Sequence, residues 1–122
     1  MKREFTTRIK EHKESLVRLL NAAKITLKTM SNREQLAGVY ILSRPDNGDV
    51  VYVGKSGNIP ERMSQHINGN GDSTLKNNLE HHPSYPPNAS KYRIQYRKMA
   101  NDKEQLVFED YVRSVLKPEF NR

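Results

Sequence analysis

The sequence predicts a small mixed α/β (α+β) domain, and three observations carry that prediction. Two short β-type runs, Gly38 to Ser43 and Asp49 to Gly54, flank the turn sequence RPDNG. A third run, Lys91 to Met99, puts Tyr92, Ile94 and Tyr96 on one face and Arg93, Gln95 and Arg97 on the other. Apolar residues recur at helical spacing over residues 6–29, 58–67 and 102–117.

At 122 residues and 14.2 kDa the chain has room for a single core. Its hydrophobic fraction of 34% and mean hydropathy of −0.89 leave little apolar surplus. No apolar run approaches the ~20 residues that span a bilayer. The opening MKREFTTRIK lacks the apolar stretch of a signal peptide. Without cysteine there is neither a disulfide framework nor a thiolate metal site. The expectation is a cytoplasmic protein.

Residues 1–36 carry nine Lys/Arg against four Asp/Glu, so most of the net charge of +7 sits in the N-terminal quarter. That division predicts a basic amphipathic arm over 1–36 and a nearly balanced domain over 37–122, a distribution suited to a polyanion. Within the arm, Ile9, Leu16, Leu19, Leu20, Ala23, Leu27 and Met30 predict one helix over 6–29, ended by Ser31-Asn32. Its apolar stripe could cover a sheet or pair with a second subunit.

In the hairpin, Tyr40 and Tyr52 project from the same face if they pair opposite each other. Asn58 then reads as a helix N-cap, with Pro60 in the first turn and Glu61 three residues on. Ile59, Met63 and Ile67 make the buried stripe of that helix. Arg62 and His66, four apart, stand together beside it. A short helix from Asp72 or Ser73 to about Glu80 precedes an extended loop forced by Pro83, Pro86 and Pro87. His81-His82 has no acidic or cysteine partner at ligand spacing, a weak metal signal.

Asp102 with Gln105 resembles a capping box opening the last helix, which stops before Pro118. Leu106, Val112 and Leu116 line one side, with Phe108, Tyr111 and Val115 beside them. Glu109 sits inside this apolar stripe, where a carboxylate is costly unless it meets a cation. The candidate partners are an arginine such as Arg62, or a single Mg²⁺ or Mn²⁺ that keeps most of its waters.

These residues resemble the GIY-YIG nuclease superfamily. Its first motif stands here as Gly38-Val39-Tyr40 and its second as Tyr52-Val53-Gly54. Lys55 follows the second motif, Arg62 stands at the family's helix arginine, and His66 is similar to the histidine of homing and restriction members. Glu109 matches the metal-binding glutamate, and Lys117-Pro118-Glu119-Phe120-Asn121 resembles the late asparagine tail. The match covers about residues 37–121, with every member of the catalytic set in order.

The resemblance implies a three-stranded antiparallel sheet flanked by helices, with an extra N-terminal helix here, and metal-dependent hydrolysis of phosphodiesters in one step. It casts Tyr40 as general base or orienter of the attacking water, with Tyr52 and Lys55 assisting. A phenol ordinarily titrates near ~10, so such a role needs cations nearby. Arg62 would hold the scissile phosphate. The metal on Glu109 would stabilise the leaving 3′-oxygen. His66 would contact phosphate or assist proton transfer, and Asn121 would orient the metal site or substrate by hydrogen bonding.

No appended recognition domain is visible, so a small endonuclease acting on duplex DNA is expected, restriction-type or structure-preferring. A palindrome-cutting enzyme would be a homodimer, for which the N-terminal helix is the candidate interface. Lys76, Asn77, Arg93 and Arg97 are the candidate DNA contacts, with Asn68, Asn70 and Asn78 beside the first two. The competing readings are a non-catalytic nucleic-acid-binding module and an RNA-directed nuclease of the same fold.

Overall fold

The computed structural model describes residues 2–69 and 74–121. Its elements follow in the order α1 (Lys2–Leu20), β1 (Ile25–Thr26), α2 (Leu27–Ser31), β2 (Gly38–Ser43), β3 (Val50–Ser56), α3 (Ile59–Asn68), α4 (Thr74–His81), β4 (Arg93–Lys98) and α5 (Asp102–Leu116). Single 3-10 turns, Ala89–Lys91 and Glu119–Asn121, precede β4 and follow α5. The strands form one antiparallel sheet in the order β1-β4-β2-β3. No described helix is long and apolar enough to cross a membrane.

Strand alternation sorts the core into two layers. Tyr40, Leu42 and Ile94 face Leu27 and Met30 of α2, Ile59 and Met63 of α3, and Leu75 of α4. Val39, Ile41 and Val53 face the other way, against Leu16 and Leu19 of α1 and Phe108 and Val112 of α5. Each fully buried leucine, such as Leu19, contributes about 1.5–3 kcal/mol. The apolar stripe of α1 is therefore spent on this chain's own sheet at Leu16 and Leu19, while Val17 and Leu20 stay exposed.

The single helix expected over 6–29 is two helices with a strand between them. Gln95, buried on β4, donates from Nε2 to the Leu20 and Ala22 carbonyls, both at 2.9 Å, and so ends α1. Ile25 and Thr26 then pair with Ile94 and Arg93, making a fourth strand where three were expected. Thr26 caps α2 through Oγ1, which accepts from the Thr29 N–H. The break is imposed by β4, far away in sequence, so the helical spacing of 6–29 holds no sign of it.

The hairpin does not pair the two tyrosines directly. Tyr40 lies across from Gly54, and Tyr52 across from Leu42, with a bulge between Leu42 and Ser43. The Arg44 N–H donates to Asp49 O at 2.9 Å and Gly48 takes φ +80 to close the loop. The shift is two residues, an even number, so both tyrosines still share a face.

The α3 start forms as read. The Asn58 side chain accepts from the Glu61 N–H, and Gly69, at φ +72, ends the helix. The expected start of the next helix at Asp72 or Ser73, and Asn70 with it, lies outside the described residues, and α4 is described from Thr74 to His81. In α5 the cap is Asn101, whose side chain accepts from the Glu104 N–H at 3.1 Å, and Gln105 turns inward to donate to Met99 O. The buried face is therefore Gln105, Phe108 and Val112, and Leu106 and Val115, expected in the apolar stripe, are half-exposed. A helical turn of ~100° per residue carries Leu106 out of the face that Gln105 enters.

Candidate active site

Gly54 makes room for the site. Its Cα lies across from Tyr40, and a Cβ there would sit 2.6 Å from Tyr40 Cζ and 2.8 Å from Tyr52 Cε1. The missing side chain lets the Tyr40 and Tyr52 rings stack, with centroids 6.2 Å apart and planes at 26°. The motif's first glycine has the same kind of cause, since a Cβ on Gly38 would overlap the Arg97 carbonyl of β4. Gly54→Ala should drive the two rings apart, lowering stability by about 1–3 kcal/mol and changing the tyrosine near-ultraviolet circular dichroism. A variant with wild-type melting and spectrum would show that the rings have room to give.

His66 of α3 closes the cluster from beneath. Its Nε2 is 3.3 Å from the Tyr40 hydroxyl, and its ring meets Tyr52 edge-on with centroids 5.5 Å apart. One turn earlier, the Arg62 guanidinium hydrogen-bonds the Tyr40 hydroxyl oxygen. Arg62 Nη1 also donates to Gln65 Oε1 at 2.9 Å. Gln65 thus positions the arginine, a role that its spacing of three from Arg62 could have signalled.

Burial is the dominant electrostatic fact here. It pushes the Tyr40 phenol far above the ordinary tyrosine value, with Tyr52 adding to the shift and Arg62 opposing it. Burial, and then the Arg62 charge, hold His66 down to about 3, so its ring is neutral at pH 7. Tyr40 therefore keeps its proton, and which of Tyr40 and His66 Nε2 donates in their hydrogen bond is set by the ring nitrogen that carries the histidine proton.

Linkage follows from the same shift. An unfolded histidine titrates near ~6.5, above the folded value of about 3, so the unfolded chain takes up the proton first. The stabilisation from neutral His66 is complete above pH ~6.5 and is lost as pH falls toward 3. Between pH 7 and 4 the wild type should lose roughly 3 kcal/mol more unfolding free energy than His66→Gln. Urea titrations at the two pH values measure this, and equal losses would remove the neutral buried imidazole from the account.

Glu109 and Lys55 lie on the α5 side of the sheet, because Lys55 alternates with Gly54. Glu109 is half-buried, and its cation is Arg113, with Nη1 at 3.9 Å from Oε1, not Arg62 as the sequence suggested. Arg113 lies one turn along the same helix. Burial raises the Glu109 carboxyl above the ordinary glutamate value, and Arg113 and then Lys55 oppose it. The Glu109 charge in turn bears on Tyr40, so the two faces communicate around β3, the edge strand.

Asn121 is committed to that edge. Its Oδ1 accepts from the Val53 N–H at 2.6 Å and its Nδ2 donates to Val53 O at 3.0 Å, as a pairing strand residue would. Its own carbonyl accepts from Arg113 Nη2 at 3.3 Å, which ties the tail to the neighbour of Glu109.

The other candidates scatter. Lys76 and Asn77 are exposed on α4, on the tyrosine side of the sheet, and Arg93 is exposed on β4. Arg97 is half-buried at the far end of β4. His81 Nδ1 donates to Asn77 O at 2.7 Å, while the His82 ring lies against Phe120 and Tyr85, so these histidines do not converge.

A divalent cation fits Glu109 under one condition. No group of three or more His, Cys, Asp or Glu gathers among the described residues, so the ion would keep most of its waters, as Mg²⁺ does. The 3.9 Å separation from Arg113 is too long for a hydrogen-bonded pair and leaves the carboxylate oxygens able to coordinate.

The GIY-YIG catalytic domain model matches residues 36–121. Among solved structures, the chain is similar to the GIY-YIG N-terminal endonuclease domain of UvrC from Thermotoga maritima bound to its catalytic divalent cation, magnesium. The TM-score is 0.57 at 19% identity, covering 78% of this chain and 93% of that one. A point mutant of the same domain, also bound to its catalytic divalent cation, gives a TM-score of 0.55 at 18% identity, over 76% and 90% of the two chains. No curated protein matches the chain. The match over residues 36–121, most of the chain, assigns it to the GIY-YIG catalytic-domain family.

Proposed function

We propose that this protein is a Mg²⁺- or Mn²⁺-dependent endonuclease that hydrolyses phosphodiester bonds of duplex DNA. The observation that carries the reading is the Tyr40 hydroxyl, set between the neutral His66 Nε2 at 3.3 Å and the Arg62 guanidinium.

With the His66 proton on Nδ1, Tyr40 donates to Nε2, and its oxygen lone pairs remain for Arg62 and for the proton of an attacking water. As the water oxygen bonds to phosphorus and the P–O3′ bond breaks, Tyr40 takes the water's proton and passes its own to His66 Nε2. Burial opposes an ionised Tyr40 and a protonated His66 alike, so the proton moves only as negative charge develops on the adjacent phosphoryl group. His66, fully buried, serves proton transfer and not phosphate contact. Arg62, held by Gln65, faces the growing negative charge of the phosphoryl group. Tyr52 shelters the phenol, and the exposed Lys55 of β3 offers a second cation to the phosphate. Glu109 would hold the metal, which when bound supplies Lewis-acid stabilisation to the leaving 3′-oxygen. Asn121 keeps β3 and Arg113 in place around it.

The test is strand cleavage of supercoiled plasmid by the wild-type chain with Mg²⁺, with Mn²⁺ and with EDTA. Discrete metal-dependent bands indicate a restriction-type enzyme and a smear a weakly specific one. DNA binding without cleavage under any metal would replace this reading with a non-catalytic binding module.

A further inference from the structure

Across the sheet from the β3 edge lies a cleft lined by four cations and no carboxylate. β1 pairs with β4 only at Arg93 and Ile94, so the β4 edge is open from Tyr96 to Lys98. There Arg18, Arg33, Arg97 and Lys98 surround a hollow of about 400 Å³, with Tyr96 and Ile25 in its wall. The Leu27 N–H donates to Tyr92 O on this side. With a strand period of two, the N–H groups of Tyr96 and Lys98 turn to the same side.

Among the described residues, none of the four cations has a carboxylate within ion-pair distance. Arg33 Nη1 donates only a long hydrogen bond, 3.4 Å, to the Tyr96 hydroxyl. Arg97 Nε is buried and meets no acceptor among the described residues. An unsatisfied buried donor and four crowded like charges both oppose folding. One bound anion relieves both, and guanidinium groups match phosphate geometry well.

We infer that this cleft binds a backbone phosphate of the nucleic acid, separate from the scissile one. Its position favours that ligand. Tyr96 is the cross-strand partner of Tyr40, so a residue of the cleft wall sits on the strand next to that of Tyr40, with backbones about 5 Å apart. A polynucleotide with one phosphate at Arg62 would place another phosphate of the same backbone here. Sequence reasoning placed Arg97 among the DNA contacts, whereas Arg18, Arg33 and Lys98 become its companions only through the fold. The inference rests on the nuclease reading and names the subsite that holds the strand.

The test compares wild type with the triple variant Arg18→Ala, Arg33→Ala, Lys98→Ala, all exposed positions, so that partly buried Arg97 stays intact. A second triple, Lys10→Ala, Lys28→Ala, Lys91→Ala, removes the same charge elsewhere on the surface. Binding of a short fluorescent DNA duplex is measured in EDTA over a range of NaCl. The cleft triple should bind at least about ten-fold more weakly, with its log–log salt slope reduced by about 1 for one lost phosphate contact. The control triple should change affinity by less than about three-fold. Equal behaviour of the two triples overturns the cleft and leaves the nuclease reading standing. Absence of duplex binding by the wild type overturns both. Displacement of the duplex by micromolar inorganic phosphate at constant ionic strength would mark a free-phosphate site and overturn the backbone assignment.

Discussion

Glu109→Ala is expected to bind duplex DNA as the wild type does and to cut it at least about 10³-fold more slowly. The magnitude follows from losing a Lewis acid worth several kcal/mol in the transition state. The fold should survive, because Glu109 is only half-buried and its nearest cation, Arg113, keeps its hydrogen bond to Asn121 O. A readout independent of cleavage accompanies the kinetics. At ten times its Kd, Mg²⁺ should raise wild-type unfolding free energy by about 1.4 kcal/mol and leave the variant unmoved. Full cleavage by a folded, nuclease-free preparation of the variant would end the metal role of Glu109.

Tyr40→Phe should lower kcat by about 10²–10⁴-fold, the usual range for a positioned general acid–base group. It removes one oxygen and keeps the ring over Gly54 and against Tyr52. The metal response of Glu109, on the opposite face, should remain, which separates this defect from the one above. Without the hydroxyl, His66 Nε2 and Arg62 lose their shared partner, so some loss of stability accompanies the rate effect. Unchanged turnover would take Tyr40 out of the proton path and leave Tyr52 as the phenol to examine.

Much of the scaffold is local and was readable. The Asn58–Pro60–Glu61 helix start depends on a few adjacent residues, and it forms as read. The β-type runs follow from alternation and turn chemistry, which act over a few residues. Misreadings occur where a distant group decides. Gln95 on β4 cuts α1 short by capping Leu20 and Ala22, and the strand made by Ile25 and Thr26 exists only because β4 offers an edge. In α5, Asn101 outcompetes Asp102 for the cap, and packing on the sheet selects Gln105 and Phe108 over Leu106.

The sequence by itself determined the residue types, their order and the helical spacing that sets Arg62 and His66 one turn apart, because these depend on covalent spacing and side-chain chemistry alone. Only the tertiary structure decided which groups share an environment. It buried His66 completely, so that the ring is neutral and faces Tyr40, and it gave Glu109 Arg113 in place of Arg62. It tied the Asn121 amide to the free edge of Val53 and gathered Arg18, Arg33, Arg97 and Lys98 around one cleft. Burial and long-range proximity set protonation and pairing, and neither exists until the chain has folded.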